Sequence, residues 1–381
     1  MKSQKGSSIE IDITNSTAPL LIKFGFLCVS KNALPNWIVY LGFIWSHLQM
    51  LAVYLKSALT SLPNDTVVFY KPLKVYCQFM FMSEYVDLNQ ATAIRVASSL
   101  LISIYIIFLF VAVVILTTRL YYNKKIPAKI KSIWEVICYI HPLVLFFPIH
   151  CILLDKIETF HRGIMKERTT GGLEVGIAYF CIVVNWALAT LLSSFFKIVI
   201  KTKDPLCSKC SRIRRNEIFE KTVSTLLMLW SNDVLIYINL VHNFMSAFYR
   251  DRVLVSNLSY YRPLTLKMAA ILQAPVTAAG LLALITRILH DFEINLKLNF
   301  FVVSWLLIVP FVIKIYSHIL SKRIEYCLIS GPNMLNSHEL LGKRDYLGQL
   351  LVNKEEPNKR AQRFNYEKLF LEGKLKEDRK S

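Results

Sequence analysis

Apolar residues in this chain fall into blocks, and the charged residues are swept into the connections between them. The clearest block, Val96–Thr117, reads VASSLLISIYIIFLFVAVVILT and runs 22 residues without a charged side chain. A helix rises about 1.5 Å per residue, so such a block covers the roughly 30 Å hydrocarbon core of a bilayer. Five more blocks behave alike: Trp37–Leu55, Ile133–Leu154, Leu173–Phe196, Met268–Ile288 and Asn299–Leu320. A water-soluble protein interleaves polar residues at helical or strand spacing, whereas blocks of this kind are what lipid requires of its helices. The pattern predicts an all-α fold, a polytopic transmembrane helical bundle. Residues 34–323 form the transmembrane helical domain, between an N-terminal arm (1–33) and a basic cytoplasmic tail with short helices (324–381).

A seventh stretch, Val223–Phe248, is long enough to span but carries Asn232, Asp233, Asn239, His242 and Asn243. It is read as one further apolar helix with a polar face, crossing or partly inserted beside the six spans. Asn232, Asn239 and Asn243 stand at i, i+7 and i+11 and so share one side of a regular helix, with Asp233 next to the stripe and His242 at its border. Polar groups left unpaired in lipid cost several kcal/mol each, so this face must meet other helices or a cavity. A water-lined pathway, an ion or proton site, or a ligand pocket is one reading. Interhelical hydrogen bonding, or an interfacial helix with its polar side in water, is the other.

Charge orients the bundle. With a cytoplasmic N-terminus and six crossings, the cytoplasmic side collects 34 Lys and Arg against 9 on the opposite side, as the positive-inside rule demands. A seventh crossing would put the basic tail outside. Two glycosylation sequons divide on this point: Asn64 is outside in either arrangement, and Asn257 only with seven crossings. The net charge of +19 sits beside the apolar blocks, where it anchors helices to headgroups, and so argues for the lipid bilayer and against nucleic acid as partner. Lys201, Lys203, Arg212, Arg214 and Arg215 form a basic patch suited to anionic lipid, and the cytoplasmic loops and tail offer a surface to a protein partner.

Other candidates are weaker. Pro142, Pro148, Pro275 and Pro310 interrupt apolar blocks and predict helix kinks. His141 and His150 are nine residues apart, about 13 Å along a helix, and so cannot share a metal; they read as a proton relay or as packing at the prolines. His47 and Gln49 interrupt the first block and read as interhelical contacts. Cys207 and Cys210 make a CxxC pair, half of a zinc site with no second half in the chain. Asn336 to Glu339 resembles a capping box that opens a short amphipathic helix. No Asp-His-His-Cys, His-Glu-x-x-His, Gly-x-Ser-x-Gly or phosphate-binding glycine loop is present. No catalytic residue, cofactor or metal ligand is therefore assigned, and the chain is not read as an enzyme.

Two segments carry a family resemblance. Ile44 to Leu51 resembles the apolar run with a Glu-x-Leu-Gln element in the ciliate multi-pass proteins of the TmcB/TmcC-like type. Leu258 to Pro263 resembles their Leu-Pro-Tyr-Tyr-Asn-Pro turn. Ser46, Ser259 and Arg262 depart from that pattern. The resemblance covers the membrane region, about Ala33 to Arg323, and implies a sensory or signalling membrane protein without transferring any catalytic residue. The expected function is thus a sensor-type membrane module. The alternatives are a transporter or channel using the polar face of Val223–Phe248, and a seven-span chemoreceptor.

Overall fold

The computed structural model describes residues 20, 24, 34–62, 67–81, 92–161, 171–194, 212–229, 233–257, 263–292, 294 and 297–329. Among them the regular elements are all helical. In chain order these are α1 (Asn36–Ser61), α2 (Val67–Phe81), α3 (Thr92–Tyr121) and α4, which runs Ala128–Ile140, through a π-helical turn at His141–Leu145, into Phe146–His161. There follow α5 (Gly171–Ser194), α6 (Arg212–Leu229), α7 (Asp233–Asn257), α8 (Pro263–Asp291) and α9 (Leu298–Ile329). The 6 helices long and apolar enough to cross a membrane are α1, α3, α4, α5, α8 and α9, matching the six blocks. The chain is a multi-pass integral membrane protein.

Its surface is what lipid calls for. The outer face of α3 exposes Leu101, Ile104, Phe108, Val111 and Ile115, and α9 exposes Leu306, Leu307, Phe311 and Ile315. Apolar faces this continuous would associate or precipitate in water. Beneath them one cluster joins α1, α2, α4, α8 and α9 around Tyr54, Phe147, Val276 and Phe301. A second joins α3, α4 and α5 around Ile106, Leu109, Leu153 and Cys181. Asn123, in the left-handed region at φ 52°, turns the chain from α3 into α4, a conformation Asn tolerates better than most residues.

The prolines act differently from one another. Pro142 lies inside the π-helical turn of α4, the form its interruption takes. Pro148 has no N–H to give the carbonyl four residues earlier, Val144. Gln49 Nε2 donates to that carbonyl at 2.9 Å, so a side chain of α1 replaces the missing backbone donor. Pro275 and Pro310 lie inside α8 and α9, and Trp305 Nε1 donates to the Pro275 carbonyl at 2.9 Å.

The stretch expected as a single seventh helix is instead a hairpin. α6 ends at Leu229 and α7 begins at Asp233, with Asn232 outside the described residues. Ser, Asn and Asp, which follow one another at 231–233, compete with helical hydrogen bonding and favour helix starts, while the apolar residues on either side disguise the break. The two helices are antiparallel: Ser224 meets Asn243 and Glu220 meets Arg250. Both lie along α1. Arg214 stands over the Phe43 ring, Ser57 meets Asn239 and Asn243, and Asp233 lies by Arg287, which holds the Ser61 carbonyl. The hairpin therefore returns the chain to the end of the bundle at which it entered, which preserves the parity of six spans. Asn257 closes α7 at the end where α1 begins, because Leu254 packs there with Val39 and Leu266.

Most of the N-terminal arm, the CxxC pair and the tail from residue 330, with its capping box, lie outside the described residues. Phe24 packs edge-on against Trp134.

Candidate functional site

The hairpin buries charge inside the bundle. Arg214, Glu217, Glu220, Lys221, Arg250 and Asp251 are all buried. Such groups are rare among membrane helices and, where found, are paired and tied to function. Helical spacing explains how they meet. On α6, Glu217, Glu220, Lys221 and Ser224 stand at i, i+3, i+4 and i+7 and share one face. α7 is inside out: Val234, Ile238, Val241, Met245 and Phe248 are exposed, while Asn239, Asn243, Arg250 and Asp251 are buried.

The partners of this face come from α1. At its first level Arg214 Nη1 lies 3.4 Å from Glu217 Oε2, and Glu217 Oε1 lies 3.9 Å from His47 Nε2. The other ring nitrogen of His47 meets the Phe43 carbonyl at 2.9 Å. Next, Lys221 Nζ donates to Ser46 Oγ at 3.0 Å and to Gln49 Oε1 at 3.2 Å. At mid-height Arg250 Nη2 donates to Glu220 Oε1 at 3.1 Å, and its Nε lies 3.1 Å from Glu220 Oε2. Tyr54 closes this group, its hydroxyl against Glu220 Oε1 and 2.6 Å from the Asn243 carbonyl.

Above Tyr54 the contacts become uncharged. Asn239 Nδ2 and Asn243 Nδ2 each donate to Ser57 Oγ at 3.0 Å, and Ser224 donates to Asn243 Oδ1. At the far end Arg287 Nη1 donates to the Ser61 carbonyl at 2.8 Å and Nη2 lies 3.7 Å from Asp233. From Phe43 to Ser61 this track follows α1 for about 27 Å, nearly the thickness of a bilayer's hydrocarbon core.

The Tyr54 hydroxyl lies between two acceptors, the Glu220 carboxylate and the Asn243 carbonyl, and one donor, Arg250 Nη2 at 3.3 Å. Tyr54 thus stands at the centre of the track, in reach of a carboxylate, a guanidinium and a backbone carbonyl. Gly280 makes room for it: a Cβ there would stand 2.8 Å from Tyr54 Cε1.

Of the polar face expected from sequence, Asn239 and Asn243 are in the track. Asp233 is exposed at the bundle end, and His242 is half-buried with its ring edge-on to Phe219. His47 and Gln49 make the interhelical contacts expected of them. The basic patch divides. Arg215 is exposed, whereas Arg214 is buried against Phe43 and Glu217 and is not available to lipid headgroups. The run Arg212–Arg215 hides this, since neighbours in sequence point to different sides of a helix. Lys201 and Lys203 lie outside the described residues. His141 and His150 are both buried away from the track; Tyr105 meets His141 Nδ1 at 3.3 Å, and the Phe146 ring stacks on His150.

Sequence reasoning missed Tyr54, Ser57, Glu217, Glu220, Lys221, Arg250 and Asp251. The available signal was the inverted pattern of α7, apolar at 234, 238, 241, 245 and 248 with amides and charges opposite. Among the described residues no group of three or more His, Cys, Asp or Glu is placed to hold a metal ion. Comparison with protein-family models, with curated proteins and with solved structures gave no match.

Proposed function

We propose that this protein is a proton-linked membrane transporter whose conducting element is the track between α1 and the α6–α7 hairpin. The observation that supports this reading is the continuity of titratable and hydrogen-bonding groups across the bundle, from Arg214 to Arg287. Intramembrane carboxylates, histidines and tyrosines in series are the means by which a proton crosses a layer that has no water of its own. The bias of Lys and Arg in the connections puts the Arg214 end on the cytoplasmic side. A sensor module, implied by the family resemblance, would work through the tail. The track instead favours transport, since it runs the height of the bundle between α1 and the hairpin.

The test is proton flux into vesicles. Purified protein is reconstituted with a trapped pH-sensitive dye, and a potassium gradient with valinomycin supplies the driving force. The wild-type chain is expected to acidify the lumen faster than protein-free vesicles. Glu220→Gln, which keeps shape but cannot release a proton, is expected to remove that excess, compared per molecule of folded protein recovered in the vesicles. Wild-type flux no greater than that of protein-free vesicles would overturn the transport reading.

A further inference from the structure

Asp251 is the carboxylate the track does not use. Its neighbour Arg250 turns its guanidinium to Glu220 and Tyr54. Among the described residues no cation lies within ion-pairing distance of Asp251. It is nonetheless buried, with 8% exposure, at the junction of α7, α8 and α9. Its Oδ2 accepts from Thr277 Oγ1 at 2.7 Å and from the Tyr316 hydroxyl. Its Oδ1 is buried with no hydrogen-bond partner. An isolated ionised carboxylate in such a place is costly unless something of opposite charge joins it.

The surroundings fit a small cation. Gln273 and Thr277 flank Pro275; Gln273 Nε2 donates to Thr277 Oγ1 at 3.2 Å, and the same side chain lies in hydrogen-bonding reach of Asp251. Thr277 and Tyr316 spend their protons on Asp251 and keep oxygen lone pairs. One carboxylate with neutral oxygens balances one positive charge, and oxygen-only donors suit a hard ion better than a transition metal.

We infer that Asp251, with Gln273, Thr277 and Tyr316, forms a binding site for a monovalent cation of sodium's size, tying α7 to α8 and α9. The site is separate from the proton track and stands whether or not the track conducts.

Equilibrium binding of radioactive sodium to the detergent-purified full chain, with N-methylglucamine as the inert cation, tests this directly. Saturable binding is expected, weakened more by cold sodium than by potassium. Asp251→Asn is expected to abolish it, and Thr277→Val to weaken it while leaving the carboxylate in place. In parallel the wild-type melting temperature should rise saturably with sodium at constant ionic strength. Absence of saturable binding by the wild-type chain would overturn the proposal. So would binding that survives in Asp251→Asn, or a melting temperature that responds to pH but not to sodium, which would mean that a proton neutralises Asp251. Should Asp251→Asn fail to fold, the wild-type and Thr277→Val measurements decide.

Discussion

Arg250→Met is expected to destabilise the protein by about 3–5 kcal/mol, the cost of leaving one charge buried without its partner. Glu220 would lose the guanidinium held against both its oxygens and is buried away from bulk solvent among α1, α6 and α7. The single change Glu220→Leu should cost a similar amount by stranding Arg250. The double variant Glu220→Leu/Arg250→Met should recover most of the loss, because two well-packed apolar side chains need no solvation. Thermal unfolding of the four proteins in detergent forms a complete cycle. If the double lost as much as the two singles added together, the pair would not be coupled, contrary to the contact between Glu220 and Arg250. Recovery of stability in the double should not bring back proton flux, which separates what the pair does for folding from what it does for transport.

The second large effect is expected at Gly280→Val. A Cβ at this position would stand 2.8 Å from Tyr54 Cε1 and 3.1 Å from Cδ1, with the Phe244 Cα behind at 3.6 Å. Tyr54 is itself fully buried, and its hydroxyl is held by Glu220, Arg250 and Asn243, so the ring has nowhere to retreat. Overpacking of this kind costs about 1–3 kcal/mol, against which the better helix propensity of Val returns only a few tenths. The matching control is Gly176→Ala on α5, where an added Cβ meets nothing within 4 Å and stability should hold or rise by up to about 1 kcal/mol. Melting temperatures in the same detergent give the comparison. Equal effects at the two glycines would show that Tyr54 does not lean on α8 as described.

The six spans were legible because the bilayer imposes a coarse rule: a helix in lipid must be apolar over its length, and blocks such as Val96–Thr117 have no other use. The hairpin was not legible, for two physical reasons. Its helices are shielded from lipid on one side by α1 and α8, so α6 can carry Arg214, Glu217, Glu220 and Lys221 and fail any hydropathy test for a span. The apolar residues of its two arms also run together in sequence across 230–232, which makes two antiparallel helices look like one. That reading set Asp233 beside the stripe of Asn239 and Asn243. Asp233 instead lies exposed at the bundle end by Arg287.

The candidate site was legible by half. Amides in an apolar stretch stand out, and Asn239 and Asn243 were found in this way. Charges beside apolar blocks ordinarily set topology, so Arg214 and Arg250 were counted with the connections. Tyr54 and Ser57 lack any signal in isolation: each is an ordinary residue within a span until Glu220, Asn239 and Asn243 are brought against it.

A track across the membrane requires α7 to lie against lipid with its polar side turned inwards. Nitroxide scanning of α7 in reconstituted vesicles, one position at a time from Val234 to Phe248, tests this most directly. Labels at Ile238, Val241 and Met245 should collide freely with oxygen and be shielded from a water-soluble nickel complex, while labels at Asn239 and Asn243 should be immobile and shielded from both. Nickel accessibility at Met245 equal to that of a label in free solution would contradict it, because the hairpin would then sit in water and the track would cross no membrane.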